Sequence, residues 1–187
     1  MTQIKGHVLL SRFDYLEHKM GEKILKEFLK RISGEDQNFA RQPVDGANYY
    51  AEHILAKIDD ILIEDYFNKD LEEFRRLGEW NANNFMNRYF SLYIDEKKPF
   101  EFLEQYSRLR SVLIGSGEMT VVLKNENTIK IVINYEQNIP KSVCLSEQGF
   151  IRGGLALCGA HDMVIEEEMC AASSDSFACK FKVKFRI

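Results

Sequence analysis

The stretch Cys179-Lys180-Phe181-Lys182-Val183-Lys184-Phe185-Arg186-Ile187 decides the fold class. Its odd positions are apolar and its even positions cationic, which is the period of a strand with one face on a core and the other in water. Working back from it, Thr128 to Tyr135 keeps the same period, with Ile129, Ile131, Ile133 and Tyr135 on one face. Met119 to Lys124 is a further β-rich run, and the polar Asn125-Glu126-Asn127 joins the two as a hairpin. Asp162 to Glu168 reads as a fourth strand. Between the pairs, Leu145 to Gly159 reads as one short helix with Ser146 near its N-cap. Hairpin, helix, hairpin is most simply buried as one four-stranded antiparallel sheet in ββαββ order.

Upstream of Gly115 and Gly117 the period is that of a helix. From Asp14, the residues Leu16, Met20, Ile24, Leu25, Phe28, Leu29 and Ile32 recur at three- and four-residue steps, with Gly34 as the stop. A second helix is predicted over about 48–67. Its apolar side is Tyr50, Ile54, Leu55, Ile58, Ile61 and Leu62, opposite Lys57, Asp59 and Asp60. A third runs from Asp70 to about Ile94, with an interruption near Gly78, and a fourth from Phe100 to Leu113 behind Pro99. The class is α+β: N-terminal helices (about 1–115) packed on a C-terminal sheet (about 116–187). No repeat or linker divides the chain, so 1–187 is expected to be a single domain with a shared core.

Composition narrows the function. The chain has 187 residues, 45% hydrophobic and 29% charged, which excludes a disordered segment. Its 25 basic against 29 acidic side chains give a net charge of −4 without a basic run, so nucleic acid is not an expected partner. No apolar stretch is long enough for a membrane span, and Lys5 and His7 come too early for a secretory core, so a cytoplasmic location is expected. No nucleophile elbow, phosphate loop or His-Glu-x-x-His is present, and Gly153-Gly154 inside a helix suits close packing better than phosphate binding. The expectation is a protein that is not an enzyme.

The four cysteines, Cys144, Cys158, Cys170 and Cys179, all lie in the last quarter of the chain. Strand parity places Glu167 on the same face as Met163 and Ile165, while Glu166 and Glu168 face water and pair with Lys180, Lys182 or Lys184 for about 0.2–1 kcal/mol each. A carboxylate on a core face calls for a cation or hydrogen bonds. The second hairpin brings Glu167, Cys170 and Cys179 to one end, and Cys144 precedes a helix whose N-terminal dipole favours thiolate. Cys3Glu closes a tetrahedron around zinc and leaves no position for catalytic water, which makes the metal structural. The other reading stays open: free cysteine is among the most buried residue types, and four inert core thiols need no metal. Cys158, beside Leu155 and Leu157, is assigned to the core.

Gly149-Phe-Ile-Arg-Gly-Gly154, Val164-Ile-Glu-Glu-Glu-Met-Cys170 and Phe177-Ala-Cys-Lys-Phe-Lys-Val183 together resemble the four-vinyl-reductase-type small-molecule-binding domain. Its superfamily also holds heme-based nitric-oxide/oxygen sensors and the vesicle-tethering TRAPP subunits. The likeness runs over about Ser116 to Phe185 and extends weakly to Lys5-Gly6 and Leu77-Gly78. Phenol-responsive sensors of that family hold a structural zinc with a Cys, a Glu and two Cys, the order of Cys144, Glu167, Cys170 and Cys179 here. Eight residues separate Cys170 from Cys179, one more than those sensors use. The resemblance also implies an apolar pocket between helices and sheet, with Trp80, Phe85, Tyr89, Phe100 and Phe102 as candidates for its wall, ordinary core being the alternative for each. The same applies to His53 and His161. Heme sensors use an axial His and a Tyr-x-Ser-x-Arg motif. Tyr106-Ser107-Arg108-Leu109-Arg110 has the wrong spacing, and none of His7, His18, His53 and His161 falls just ahead of the sheet, so heme is set aside. The resemblance implies a zinc-stapled sensor or adaptor that encloses a small hydrophobic molecule and signals to a protein partner. The alternative is a dimeric interaction module, of the tethering or GTPase-associated kind, without a ligand. A homodimer is expected in either case.

Overall fold

The computed structural model describes residues 3–35, 43–89, 98–173 and 176–187. The chain opens with strand β1 (Gln3–Lys5), then α1 (Gly6–Met20) and α2 (Glu22–Glu35). Strand β2 (Tyr49–Ala51) pairs antiparallel with β1 and runs directly into α3 (Glu52–Ile61), which loosens into a π-turn at Leu62–Tyr66. Helices α4 (Glu72–Tyr89) and α5 (Pro99–Leu113) come next. The remainder is β3 (Glu118–Asn125), β4 (Thr128–Asn134), α6 (Lys141–Leu157), β5 (His161–Met169) and β6 (Ala178–Arg186). These four strands form one antiparallel sheet in the spatial order β3-β4-β6-β5.

The helices depart from expectation at their ends. The helix expected from Asp14 to Ile32 is two helices. Gly21, at φ 88°, turns the chain between them, a backbone conformation that L-residues avoid. The first begins at Gly6, whose backbone N–H donates to Asn48 while a Cβ in its place would collide with the Asp45 carbonyl. The start of the predicted 48–67 helix is instead the β2 strand, because it closes a ribbon onto β1. Gly78 interrupts nothing: α4 passes through it unbroken, and the part of the third predicted helix beyond Tyr89 lies outside the described residues. Helix α6 starts at Lys141 behind Pro140, earlier than Ser146, whose hydroxyl donates to the Ser142 carbonyl within the helix instead of capping it. Cys144 therefore sits inside the helix.

Helix α6 lies between the sheet and α4, and this sandwich holds the molecule together. Ser142 to Ile151 are all buried, so α6 has no wet side over two turns. Its contact with α4 is the most extensive between any two helices here. Glycine makes the approach possible: a Cβ on Gly78 would overlap the Ser146 carbonyl, and one on Gly149 the Arg75 carbonyl. On the other side, Ile129, Ile131 and Ile133 of β4 and Cys179, Phe181, Val183 and Phe185 of β6 are buried along the inner sheet face. The outer face carries the expected ion pairs, Lys184 and Lys182 with Glu166, while Glu168 pairs with Lys130 of β4. One hydrophobic cluster runs from Ile4 to Phe185. Among the described residues, no helix is long and apolar enough to cross a membrane.

Candidate functional site

Two places concentrate polar chemistry in this core, and α6 serves both. The first is a cavity of about 70 Å³ lined by α1, α3, α4, α5 and α6. Ile4, Val8, Leu55, Leu77, Leu113 and Phe150 form apolar parts of its wall. Arg110 of α5, fully buried, donates from Nε to Glu147 Oε1 of α6 at 2.7 Å, and Tyr106, one turn earlier, donates to Glu147 Oε2 at 2.9 Å. The guanidinium also donates to the carbonyls of Ser116 and Gly117 and to the Tyr135 hydroxyl. Burial works against the charge on Arg110, but Glu147 and the two tyrosines outweigh it and raise its pKa further. Burial and the Glu147 carboxylate push the Tyr106 phenol well up, so it keeps its proton. A second buried pair flanks the cavity: Arg12 Nε of α1 meets Asp59 Oδ1 of α3 at 3.1 Å. Burial lifts the pKa of Asp59 despite Arg12.

An outer cleft of about 260 Å³ adjoins the cavity and shares His7, Ser11, Asn81 and Phe85 with it. Trp80, Asp14 and Arg88 complete much of its rim. The aromatic candidates from the sequence are thus dispersed. Phe85 lines the cavity and Trp80 the outer cleft. Phe102 is core, stacked on Tyr106 and pressed against Gly154, and Phe100 packs at the core edge without reaching the cavity. The side chain of Tyr89 lies outside the described residues. His53 and His161 are exposed. Sequence reasoning gives no site role to Arg12, Asp59, Arg110 or Glu147.

The second place is at the N-terminal end of α6. Cys144 Sγ stands 3.4 Å from Cys170 Sγ and 3.4 Å from Cys179 Sγ, and all three sulfurs lie within 4.8 Å of one another on buried side chains. A tetrahedral ion with metal–sulfur bonds of about 2.3 Å sets its sulfurs roughly 3.8 Å apart, so small adjustments close this triangle on a cation. The contact with Cys179, together with burial, pushes the Cys144 thiol up. The same contact pulls Cys179 down against the effect of burial, helped by the Ala171 N–H that donates to its sulfur. Glu167 keeps the predicted face but lies at the rim. Lys141 Nζ reaches Glu167 Oε1 at 2.7 Å and Cys170 Sγ at 3.3 Å, and Gln148 donates to the other carboxylate oxygen. Burial raises the Glu167 pKa, and Lys141, with Cys170 and Gln148, more than offsets it, so the carboxyl lies below its ordinary value. The β5–β6 register is irregular between Glu167 and Met169, just ahead of Cys170. Cys158 is buried in the core away from the triangle.

No family model matches the sequence, and no curated protein does. Solved structures do. An oxygen-binding H-NOX domain related to soluble guanylate cyclases superposes with a TM-score of 0.76 at 16% identity, over 98% of this chain and 96% of that one. An H-NOX protein from S. oneidensis in the Fe(II)NO ligation state matches with a TM-score of 0.74 at 14% identity, over 98% and 100%. A third, from a study of heme distortion in the H-NOX family, reaches 0.76 at 16%, over 98% and 96%. The fold is the H-NOX fold. This overturns the resemblance to the four-vinyl-reductase-type domain, since neither that domain nor a TRAPP subunit is among the matches. It also corrects the cofactor expectation: the structures that share this fold are heme proteins, so heme cannot be set aside on motif spacing, and the cysteine triangle alone does not show zinc.

A heme makes its own demands on the wall residues. Iron takes an axial imidazole, thiolate, thioether or phenolate. His7 offers the cavity an imidazole, edge-on to Phe85, whereas Tyr106 is committed to Glu147 in its protonated form. Both guanidinium groups that could receive propionates already carry an acid, Arg12 with Asp59 and Arg110 with Glu147. At about 70 Å³ the cavity does not admit a porphyrin with these side chains where they stand.

Proposed function

We propose that this chain is a ligand-binding sensor domain that takes its ligand in the cavity between α1, α4, α5 and α6, acts without catalysis, and reports occupancy to a protein partner, including a second copy of itself. The observation that carries this reading is a mostly apolar pocket between helices with convergent polar groups, in a chain that follows the H-NOX fold over nearly its whole length. A heme-based reading ranks ahead of the zinc-stapled hydrophobic-effector reading because the fold neighbours are named for heme and its gases, and it requires the wall side chains to move apart from the positions they hold here. Hemin titration followed by absorption spectroscopy tests it. A Soret band that shifts on binding and is lost in His7→Ala supports the heme reading. A spectrum of free hemin at every ratio rejects it and leaves the cavity to smaller molecules.

We further propose that Cys144, Cys170 and Cys179, with Glu167 as the fourth donor once Lys141 releases it, form a site for a thiophilic metal ion. Three buried sulfurs within 4.8 Å of one another support it. Elemental analysis of the purified protein tests it: metal near one equivalent is expected, and none in either the purified or the metal-supplemented protein rejects it.

A further inference from the structure

The four-stranded sheet has two edges, and they are guarded unequally. On one side lies β5, which carries Asp162, Glu166, Glu167 and Glu168 without a lysine or arginine and has a register irregularity towards either end. Charge of one sign and bulges are means by which a strand edge avoids pairing with another chain. On the other side lies β3, which pairs with β4 and, among the described residues, with no other strand. Its centre, Met119-Thr-Val-Val-Leu123, holds no charge, glycine or proline, and its ladder with β4 is regular from Glu118 to Leu123. Val122 and Leu123 are 39% and 47% exposed. An edge of this composition is a template for a further strand.

The charges at the ends of β3 point to which strand that is. Within the sheet, Asp162 is met by Arg186, Glu166 by Lys182 and Lys184, and Glu168 by Lys130. Glu118 and Lys124, by contrast, make no ion pair among the described residues. They are opposite in sign and stand the same distance in sequence on either side of Val121. An antiparallel second copy of β3, centred on Val121, therefore sets Glu118 of each chain opposite Lys124 of the other, two ion pairs related by a two-fold axis. Lys124 lies at the bulge that closes the hairpin, and its flexible four-carbon stem supplies the reach. The register also keeps the faces of the sheet, because directly opposed residues of an antiparallel ladder share a face. Thr120 meets Val122 on the outer face, and Met119 meets Leu123 on the inner one. Centring the axis on Thr120 or on Val122 instead leaves Glu118 opposite Val122 or Glu126, and neither arrangement pairs the charges.

We propose that β3 pairs with β3 of a second copy of this chain, antiparallel about Val121, and joins the two sheets into one. This rests on the partner being a second copy, and it names the surface used. Charge reversal tests it, with sedimentation equilibrium of the full-length protein over a range of concentrations as the readout. Glu118→Lys and Lys124→Glu each turn both attractive pairs into repulsive ones, and each is expected to raise the dimer Kd about tenfold or more. The double variant Glu118→Lys with Lys124→Glu exchanges the partners and is expected to restore the parent Kd, a rescue that damage to the fold would not give. Both side chains are exposed, and circular dichroism checks that each variant keeps the parent spectrum. A parent dimer whose Kd neither single reversal changes overturns the β3 surface while association with a second copy stands. Single variants that weaken the dimer without rescue in the double overturn the Glu118–Lys124 register. A parent that stays monomeric at every concentration overturns both this proposal and the second-copy reading beneath it.

Discussion

Replacing Glu147 probes the cavity wall most directly. Its carboxylate is 4% exposed and accepts from Arg110 on one oxygen and from Tyr106 on the other. Glu147→Leu leaves a guanidinium that is itself 0% exposed with its remaining partners all neutral, and it strands the Tyr106 hydroxyl. Breaking a buried pair from one side costs about 3–5 kcal/mol, and the orphaned hydroxyl adds about 1–3 kcal/mol. Glu147→Gln keeps one acceptor and one donor in place and belongs at about 3 kcal/mol, since the charge, not the shape, is what it removes. Arg110→Met combined with Glu147→Leu removes both charges together, and its cost is that of the partners left unmet at Tyr106, at Tyr135 and at the Ser116 and Gly117 carbonyls, less than the sum of the two single losses. Urea unfolding followed by circular dichroism measures all three, with the midpoint shift at unchanged slope as the readout. If Glu147→Gln costs under about 1 kcal/mol, or the double variant is as unstable as the sum of its parts, the two groups are not a desolvated pair and the account of this wall is wrong.

The remaining sites carry their own expected outcomes. Cys170→Ser should strip the co-purifying metal and Glu167→Gln should weaken it roughly 10–100-fold, whereas Cys158→Ala should leave it unchanged; equal loss in Cys158→Ala on elemental analysis would break the assignment. Gly149→Ala should cost about 1–3 kcal/mol in thermal or urea unfolding by forcing α6 off α4, while Gly34→Ala, with nothing near its Cβ, should be within about 0.5 kcal/mol of the parent or slightly more stable. Glu73 resists its own burial because Lys19, Tyr15 and Arg76 bond it, which holds its pKa below the ordinary 4.5. Its contribution is complete above 4.5 and drains as pH falls through the lowered folded value, so Glu73→Gln should separate from the parent at neutral pH and converge with it in acid; a constant gap across about pH 2–7 would refute this.

A sequence discloses those forces that leave a periodic trace. The β6 alternation is unambiguous because one face is dry and the other carries Lys180, Lys182, Lys184 and Arg186, and a slip of one residue would exchange them. The break at Gly21 leaves no such trace: Leu16, Met20, Ile24 and Leu25 keep the helical step across it, and a lone glycine in a helix pattern is ordinarily tolerated. β2 is hidden for the opposite reason, since its three residues are too few to show a period and its pairing to β1 is made far along the chain. The cysteine triangle is legible because strand parity and hairpin closure bring Cys170 and Cys179 together by geometry alone. The buried ion pairs are not, because charged residues on helices read as the wet face. Asp59 illustrates it, solvent-facing by pattern beside Lys57 and Asp60 yet fully buried against Arg12. A signal exists at Glu147: in Ser142 to Ile151, where every other side chain is apolar, small or uncharged, a single carboxylate has no wet face to occupy.

That isolation explains why α6 organises both sites. A helix buried on all sides must find partners for its polar side chains within the protein, and α6, with the Ser142 hydroxyl as an exception, does so with residues almost adjacent in sequence. Cys144 faces the sulfurs of the sheet, Ser146 receives Arg12, Glu147 receives Arg110 and Tyr106, and Gln148 bridges Glu167 of β5 to Arg75 of α4. Successive residues point about 100° apart around a helix, so these side chains sample the whole circumference and each has a partner only at one rotation. Turning α6 by a single residue would carry Glu147 away from Arg110, Cys144 away from Cys170 and Gly149 out of the crossing with α4 at the same time. The apolar contacts alone would tolerate such a turn better, because small and aliphatic residues line much of the helix. The polar partners thus set the rotation of α6, and the crossing glycines set its depth. Together they place Glu147 and Ser146 on the cavity wall and Cys144 at the sulfur triangle, so that whatever occupies either place bears on a helix that cannot yield at one end alone.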